Sequence, residues 1–180
     1  MDFVEKTIES EVIYSGKIVE LHRDKAELVN GSIVLREVVE HAGGAVVVPV
    51  DRDGNVIVVR QFRYPFGREL LEFPAGKLEK GEDPFLCAKR ELSEETGYTS
   101  ENYVFLGEFY PSPGYCHESL FIYLATNLIP GGQHLDQDEF LKVERMPLDD
   151  LVNAVMAGEV KDAKTVIGAL KAQRYLSERK

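Results

Sequence analysis

The sequence predicts an α/β protein folded as a three-layer α/β/α sandwich, with a mixed central sheet and a small antiparallel sheet at its N-terminus. Three features lead there: alternating apolar residues over the first 40 positions, a nearly continuous apolar run at Ala45–Val50, and a well-delimited helical segment at Pro84–Thr96 with two more helices closing the chain. Taken in order, Val12-Ile13-Tyr14, Ile18–Leu21 and Ile33 through Val39 read as strands, and Asn30-Gly31 between the last two is a hairpin turn. Asp53-Gly54 turns the Ala45 strand into a second one, Val56–Gln61, as a further hairpin. Glu69–Phe73 is another short strand, and Pro74-Ala75-Gly76 leads into the loop before the helix. Tyr103–Tyr110 and Leu120–Thr126 are strands separated by the turn-rich Pro111-Ser112-Pro113-Gly114. The polar segment from Gly131 to Asp138 reads as a mobile loop and Leu141–Arg145 as a last strand. Helices follow near Asp149–Ala157, ended by Gly158, and near Ala163–Ser177. Residues 1–42 are thus expected to form an N-terminal strand subdomain, and residues 43–180 the main domain.

Charge narrows the partners. With 31 acidic and 21 basic residues in 180, the chain has a formal net charge of −10. Nucleic-acid backbones and anionic membranes call for a basic surface, so neither is expected as the main partner. A phosphate-bearing small molecule stays compatible, provided metals and a few arginines neutralise it locally. Cys87 and Cys116 lack zinc-type spacing, and a reduced setting is the default for such a chain. The N-terminus MDFVEKTIESEV has no apolar core of a signal peptide, and no run approaches membrane-spanning length. A soluble, cytoplasmic protein is expected.

The most informative stretch is GKLEKGEDPFLCAKRELSEETGY, Gly76–Tyr98. Asp83 suits the N-cap, Pro84 the first helical position and Gly97 the residue just past the end. On this helix Glu91 and Glu95 lie about 40° apart around the axis, with Glu94 about 60° to the other side of Glu91. Phe85, Ala88 and Leu92 form a separate stripe that can dock on a core. Like charges at such spacings each cost roughly 0.2–0.5 kcal/mol, so stability gives no reason to gather them. A hard divalent cation such as magnesium removes the conflict, because it wants carboxylate oxygens converging from one side. The alternative is a solvated acidic face. Glu91 and Glu95 are the candidate metal ligands, and Glu94 stands evenly between a catalytic or third-ligand role and a solvated one. Arg90 and Glu82 suit a forked ion pair fixing loop to helix. Gly76, Gly81 and Gly97 are read as permitting backbone shapes.

The spacing Gly76, Glu82, Arg90-Glu91-Leu92, Glu94-Glu95, Gly97 resembles the Nudix box, G-x5-E-x7-R-E-U-x-E-E-x-G-U, with Tyr98 at the final apolar place as the one departure. Arg36-Glu37, His41, Arg60-Gln61-Phe62-Arg63, Leu71 through Gly76 and Ser112-Pro113-Gly114 resemble the ADP-ribose pyrophosphatase branch, as does the acidic segment Asp136-Gln137-Asp138-Glu139. The resemblance implies an α/β/α sandwich and magnesium-dependent hydrolysis, manganese being a possible substitute. The substrate it implies is ADP-ribose, split into AMP and ribose 5-phosphate.

It also implies residue roles. The Ala75 backbone carbonyl is a further metal ligand, and Arg36, Glu37, Arg63 and Gly114 are substrate contacts. Glu139 is the first choice for general base, with Asp138 next and Asp136 also open. Two readings stand for Arg63, pyrophosphate contact or surface ion pair, the first being favoured. Two stand evenly for Arg36, an adenine-stacking cation or an edge-strand charge. Other nucleoside diphosphate sugars such as GDP-mannose are the alternative substrates, and a non-catalytic ADP-ribose sensor is the alternative class. The branch also implies a homodimer in which the N-terminal strands are exchanged.

Overall fold

In the computed structural model, which describes residues 3–135 and 139–179, the N-terminal strands run longer than their apolar residues indicate. They are β1 (Lys6–Ser15), β2 (Glu20–Glu27) and β3 (Ile33–Glu40), paired antiparallel in that order. Cross-strand ion pairs supply what apolar alternation does not, with Lys25 on Glu9 and Arg23 on Glu11, each at 2.6 Å. Asn30-Gly31 makes the β2–β3 turn: Gly31 sits at φ 80° and the Asn30 side chain accepts from Ser32 N at 3.0 Å.

The chain divides into two compact units. One holds the residues up to Gly43 together with Tyr110–Ser119; the other holds Gly44–Phe109 and the residues from Leu120 onward. The second unit begins with β4 (Gly44–Pro49), β5 (Asn55–Arg63), β6 (Arg68–Glu72), β7 (Ala75–Lys77), α1 (Pro84–Thr96), β8 (Tyr98–Thr99) and β9 (Asn102–Phe109). Next comes β10 (Cys116–His117), which belongs to the first unit and lies parallel to the end of β3. The second unit resumes with β11 (Leu120–Thr126), β12 (Ile129–Pro130), β13 (Leu141–Pro147), α2 (Leu148–Met156) and α3 (Ala163–Ser177).

Its main sheet has the order β7-β4-β11-β9 and is mixed: β4 and β11 are parallel, the outer pairs antiparallel. A second, antiparallel sheet has the order β13-β5-β6. Here the structure corrects the expected β4–β5 hairpin. Both strands already have partners along both edges, so they splay into different sheets and share only the Val50–Val56 bridge beside their turn. The short strands β7, β8, β10 and β12 were not legible as strands, being two or three residues long.

The layering follows from strand alternation. Ala45 and Val47 of β4 pack with Cys87, Ala88 and Leu92 of α1, while Val46 and Val48 pack with Leu151 of α2 and Ala169 of α3. One strand thus serves two opposite helical layers. The α1 ends are as expected: Asp83 accepts from Phe85 N and Leu86 N, and Gly97 adopts the left-handed conformation at φ 73°. Its docking stripe differs from the expected one. Cys87 is fully buried, whereas Phe85 lies at the rim, its ring against Tyr103 and Tyr123.

Leu92, with no exposed surface, carries much of the α1 docking. Leu92→Ala should lower stability by about 2–5 kcal/mol through the cavity it leaves. Urea unfolding measures this, and an unchanged midpoint would contradict the packing described.

Candidate active site

The buried face of α1 carries two acids along with its apolar residues. Glu91 and Glu95 are 6% and 3% exposed, on the side of the helix that also presents Cys87, Ala88 and Leu92. The wall opposite is β7. Ala75 N donates to Glu95 Oε2 at 3.0 Å. A Cβ on Gly76 would stand 1.8 Å from Glu91 Oε1, so no other residue fits there while Glu91 keeps its place. This revises the reading of Gly76: its φ is not positive, and it serves close approach, not backbone shape. Gly81 and Gly97, at φ 79° and 73°, do serve shape.

Arg90 ties the segment together. Its Nε and Nη2 donate to the two oxygens of Glu82 at 3.0 and 3.1 Å, and its Nη1 donates to Glu91 Oε1 at 2.6 Å and Glu94 Oε2 at 2.9 Å. The hydrogen bond from Arg90 holds the Glu82 carboxyl below its ordinary value. Glu91 behaves oppositely: burial pushes its carboxyl up to about 7, although Arg90 pulls it down. Burial and then the Glu91 charge push Glu95 up to about 8. Glu139 raises both, so its carboxylate lies within electrostatic reach of the pair. Glu94 is the more exposed of the three helix acids and is held by Arg90. Asp136 and Asp138, the other candidates for a base, lie outside the described residues. The described part of the loop before them is not loose: Gly131 N, Gln133 Nε2 and His134 N donate to the carbonyls of Gly97, Glu95 and Glu94 at the end of α1.

The donor chemistry suits a hard divalent cation. Two desolvated, mutually repelling carboxylates each keep one oxygen that takes no hydrogen bond among the described residues. No three His, Cys, Asp or Glu side chains among the described residues form a closed metal cage. Magnesium characteristically binds through one or two carboxylates, keeping waters and substrate phosphates as its other ligands.

Arg63 is placed in an ion pair, the less favoured of its two readings, though with a buried partner. Its Nε and Nη2 fork onto Glu72 at 2.6 Å each, and Nη1 takes no partner among the described residues. Glu72 is fully buried and also binds Lys164. Burial alone would raise its carboxyl; Arg63 and Lys164 outweigh that and hold it below its ordinary value. Sequence reasoning gave Glu72 no role beyond its place in the run Leu71–Gly76, and missed Lys164. An acid inside the apolar run Leu70-Leu71-Glu72-Phe73 was the available signal. On the N-terminal unit, Arg36 forks onto Glu5 at 2.9 and 2.8 Å, Glu37 lies across from Arg23 in the β2–β3 register, and Gly114 is an exposed turn residue.

The sandwich and its glutamate-bearing helix define a hydrolase scaffold of the Nudix class. The NUDIX domain model matches residues 40–167, and the chain belongs to that family. It is 45% identical over 163 residues to the ADP-ribose pyrophosphatase of Bacillus subtilis (strain 168), covering 89% of this chain and 88% of that one. It is 41% identical over 167 residues to the methanol dehydrogenase activator of Bacillus methanolicus, covering 92% and 90%. Among solved structures, the fold matches that of an ADP compounds hydrolase with a TM-score of 0.85 at 22% identity, over 97% of this chain and 95% of that one.

The raised carboxyls have a consequence for stability. Both folded values lie above the ordinary 4.5, so the stabilisation from neutral Glu91 and Glu95 is complete below about 4.5 and is lost as pH rises through about 7 and 8. Without divalent cations, the melting temperature should therefore fall between pH 5 and 8, and magnesium should restore it. Glu95→Gln should flatten the profile; a wild-type profile already flat would contradict the burial argument.

Proposed function

We propose that the protein is a magnesium-dependent hydrolase that splits ADP-ribose into AMP and ribose 5-phosphate. The observation that carries the reading is the pair of buried glutamates on α1, Glu91 seated against Gly76 and Glu95 against Ala75 N, within a box whose fixed spacings are all present. Glu91, Glu95 and the Ala75 carbonyl would hold the metal, with Glu94 at its edge. A cation bound there supplies charge neutralisation for the two phosphoryl groups and lowers the pKa of a water. Arg90 fixes Glu91 in place, and Gly76 leaves it room. Arg63 offers its uncommitted Nη1 to a phosphoryl oxygen. Glu139 takes the proton of the attacking water; the water oxygen bonds to phosphorus as the anhydride P–O bond breaks. Arg36, Glu37 and Gly114 are proposed substrate contacts on the N-terminal unit, Arg36 through its guanidinium plane once Glu5 releases it.

We further propose a cytoplasmic homodimer. Both cysteines are free, which suits a reducing compartment. No helix of the described residues is long and apolar enough to cross a membrane. Ile8, Val12, Ile33 and Leu35 on β1 and β3 are more than half exposed, which suits strands that another subunit covers.

The purified protein should be incubated with ADP-ribose, GDP-mannose and diadenosine polyphosphates, with magnesium and then with chelator. Metal-dependent release of AMP from ADP-ribose is expected; preferential cleavage of GDP-mannose would overturn the substrate assignment. Glu139→Gln should lower kcat by about 10²–10⁴-fold with KM little changed. Glu95→Gln should lose activity by orders of magnitude with the fold intact, and unaltered turnover would remove it from the metal site.

A further inference from the structure

Lysine side chains are rarely buried without a paired charge. Lys164, on the first turn of α3, is 12% exposed and touches two carboxylates: Glu72 and, at 2.8 Å, Asp162 Oδ1. Asp162 is the N-cap of α3, its Oδ2 accepting from Thr165 N at 3.0 Å and from Thr165 Oγ1 at 2.6 Å. Thr165 Oγ1 in turn accepts from Phe73 N at 2.9 Å. The start of α3 is therefore stitched to the end of β6, and Lys164 is held at a fixed point beside Glu72. Glu72 has no exposed surface, yet it accepts from Arg63 through both oxygens. A forked guanidinium pair needs an ionised carboxylate, and a fully buried carboxylate stays ionised only when charge around it offsets the lost hydration. Arg63 supplies part of that offset through its own fork. Lys164 adds the second cation on Glu72 Oε2. Both cations also lie within electrostatic reach of Glu95, so the network borders the α1 carboxylates.

We propose that Lys164 is a positioning residue for diphosphate binding: through Glu72 it fixes the Arg63 guanidinium so that Nη1 is left to meet a phosphoryl oxygen. This rests on the reading of the protein as a diphosphate-sugar hydrolase in which Arg63 contacts the phosphoryl groups. Lys164 itself touches neither substrate nor metal. Its loss acts on substrate affinity, because Glu72 would then take up a proton or draw Arg63 inward. A role in fold stability alone would lower the melting temperature and leave KM as it was.

The test is steady-state hydrolysis of ADP-ribose with magnesium by Lys164→Met and Lys164→Arg, alongside magnesium affinity measured by calorimetry without substrate. Lys164→Met should raise KM by about 10–100-fold, by analogy with the range found when the outer partner of a metal ligand is removed. Magnesium affinity should move far less than KM, because Lys164 reaches Glu95 only through space, and Lys164→Arg, which keeps the charge, should recover most of the lost substrate affinity. Should Lys164→Met fail to fold, the double variant Glu72→Gln with Lys164→Met removes the stranded buried charge and should show the same rise in KM. A wild type that hydrolyses ADP-ribose while the folded variants keep its KM overturns this inference alone. Loss of magnesium affinity in step with KM also overturns it. A wild type that cleaves no diphosphate sugar removes the functional reading and this inference with it.

Discussion

Two carboxylates, Glu91 and Glu95, are held out of water on the core side of one short helix, and most of what surrounds them exists to keep them there. Burial raises both acids, and the Glu91 charge further opposes ionisation of Glu95. A folded protein gains nothing from ionising that pair by itself, since a buried carboxylate loses its hydration and a second one beside it adds repulsion. The surrounding groups nonetheless support the pair closely. Gly76 removes its own side chain to admit Glu91, Ala75 N orients Glu95, and Arg90 fastens Glu82, Glu91 and Glu94 with a single guanidinium. The arrangement becomes reasonable once a cation is its intended occupant.

The stretch from Glu72 to Lys77 is where the two helical layers act together. On one side Glu72 and Phe73 are tied to the start of α3, through Lys164 and Thr165. On the other, Ala75 and Gly76 form the wall against which the α1 glutamates sit. Between them Pro74 offers its carbonyl to Val47 N at 2.9 Å, holding the stretch to the central strand β4. A few residues of backbone are thus fixed from both faces of the sheet. That is what a site needs if ligands are to be placed to within a fraction of an ångström.

Much of this could be read from residue order. The caps of α1 were legible because Asp-Pro and a terminal glycine have strong local meaning, and Leu120–Thr126 because its apolar run has clear ends. Residues that act at a distance were harder. The splaying of β4 from β5 depends on which neighbours each finds, and nothing local distinguishes that from a hairpin. Gly76 looked like a turn glycine because its true constraint is the Glu91 side chain, 15 positions away in sequence. Arg63 carried two readings because its partner, Glu72, is recognisable as a buried anion only when the burial of β6 and the approach of α3 are seen together.

The central claim is that the crowded glutamates of α1 are kept for a cation, and proton release on metal binding tests it most directly. Carboxyls raised to about 7 and 8 are largely protonated at pH 6.5, and a metal ligand must be deprotonated. Magnesium titrated calorimetrically at that pH, in buffers of differing ionisation enthalpy, should release at least about one proton per site, and release should vanish in Glu91→Gln combined with Glu95→Gln. Magnesium binding without proton release, or release unaffected by those substitutions, would contradict the account.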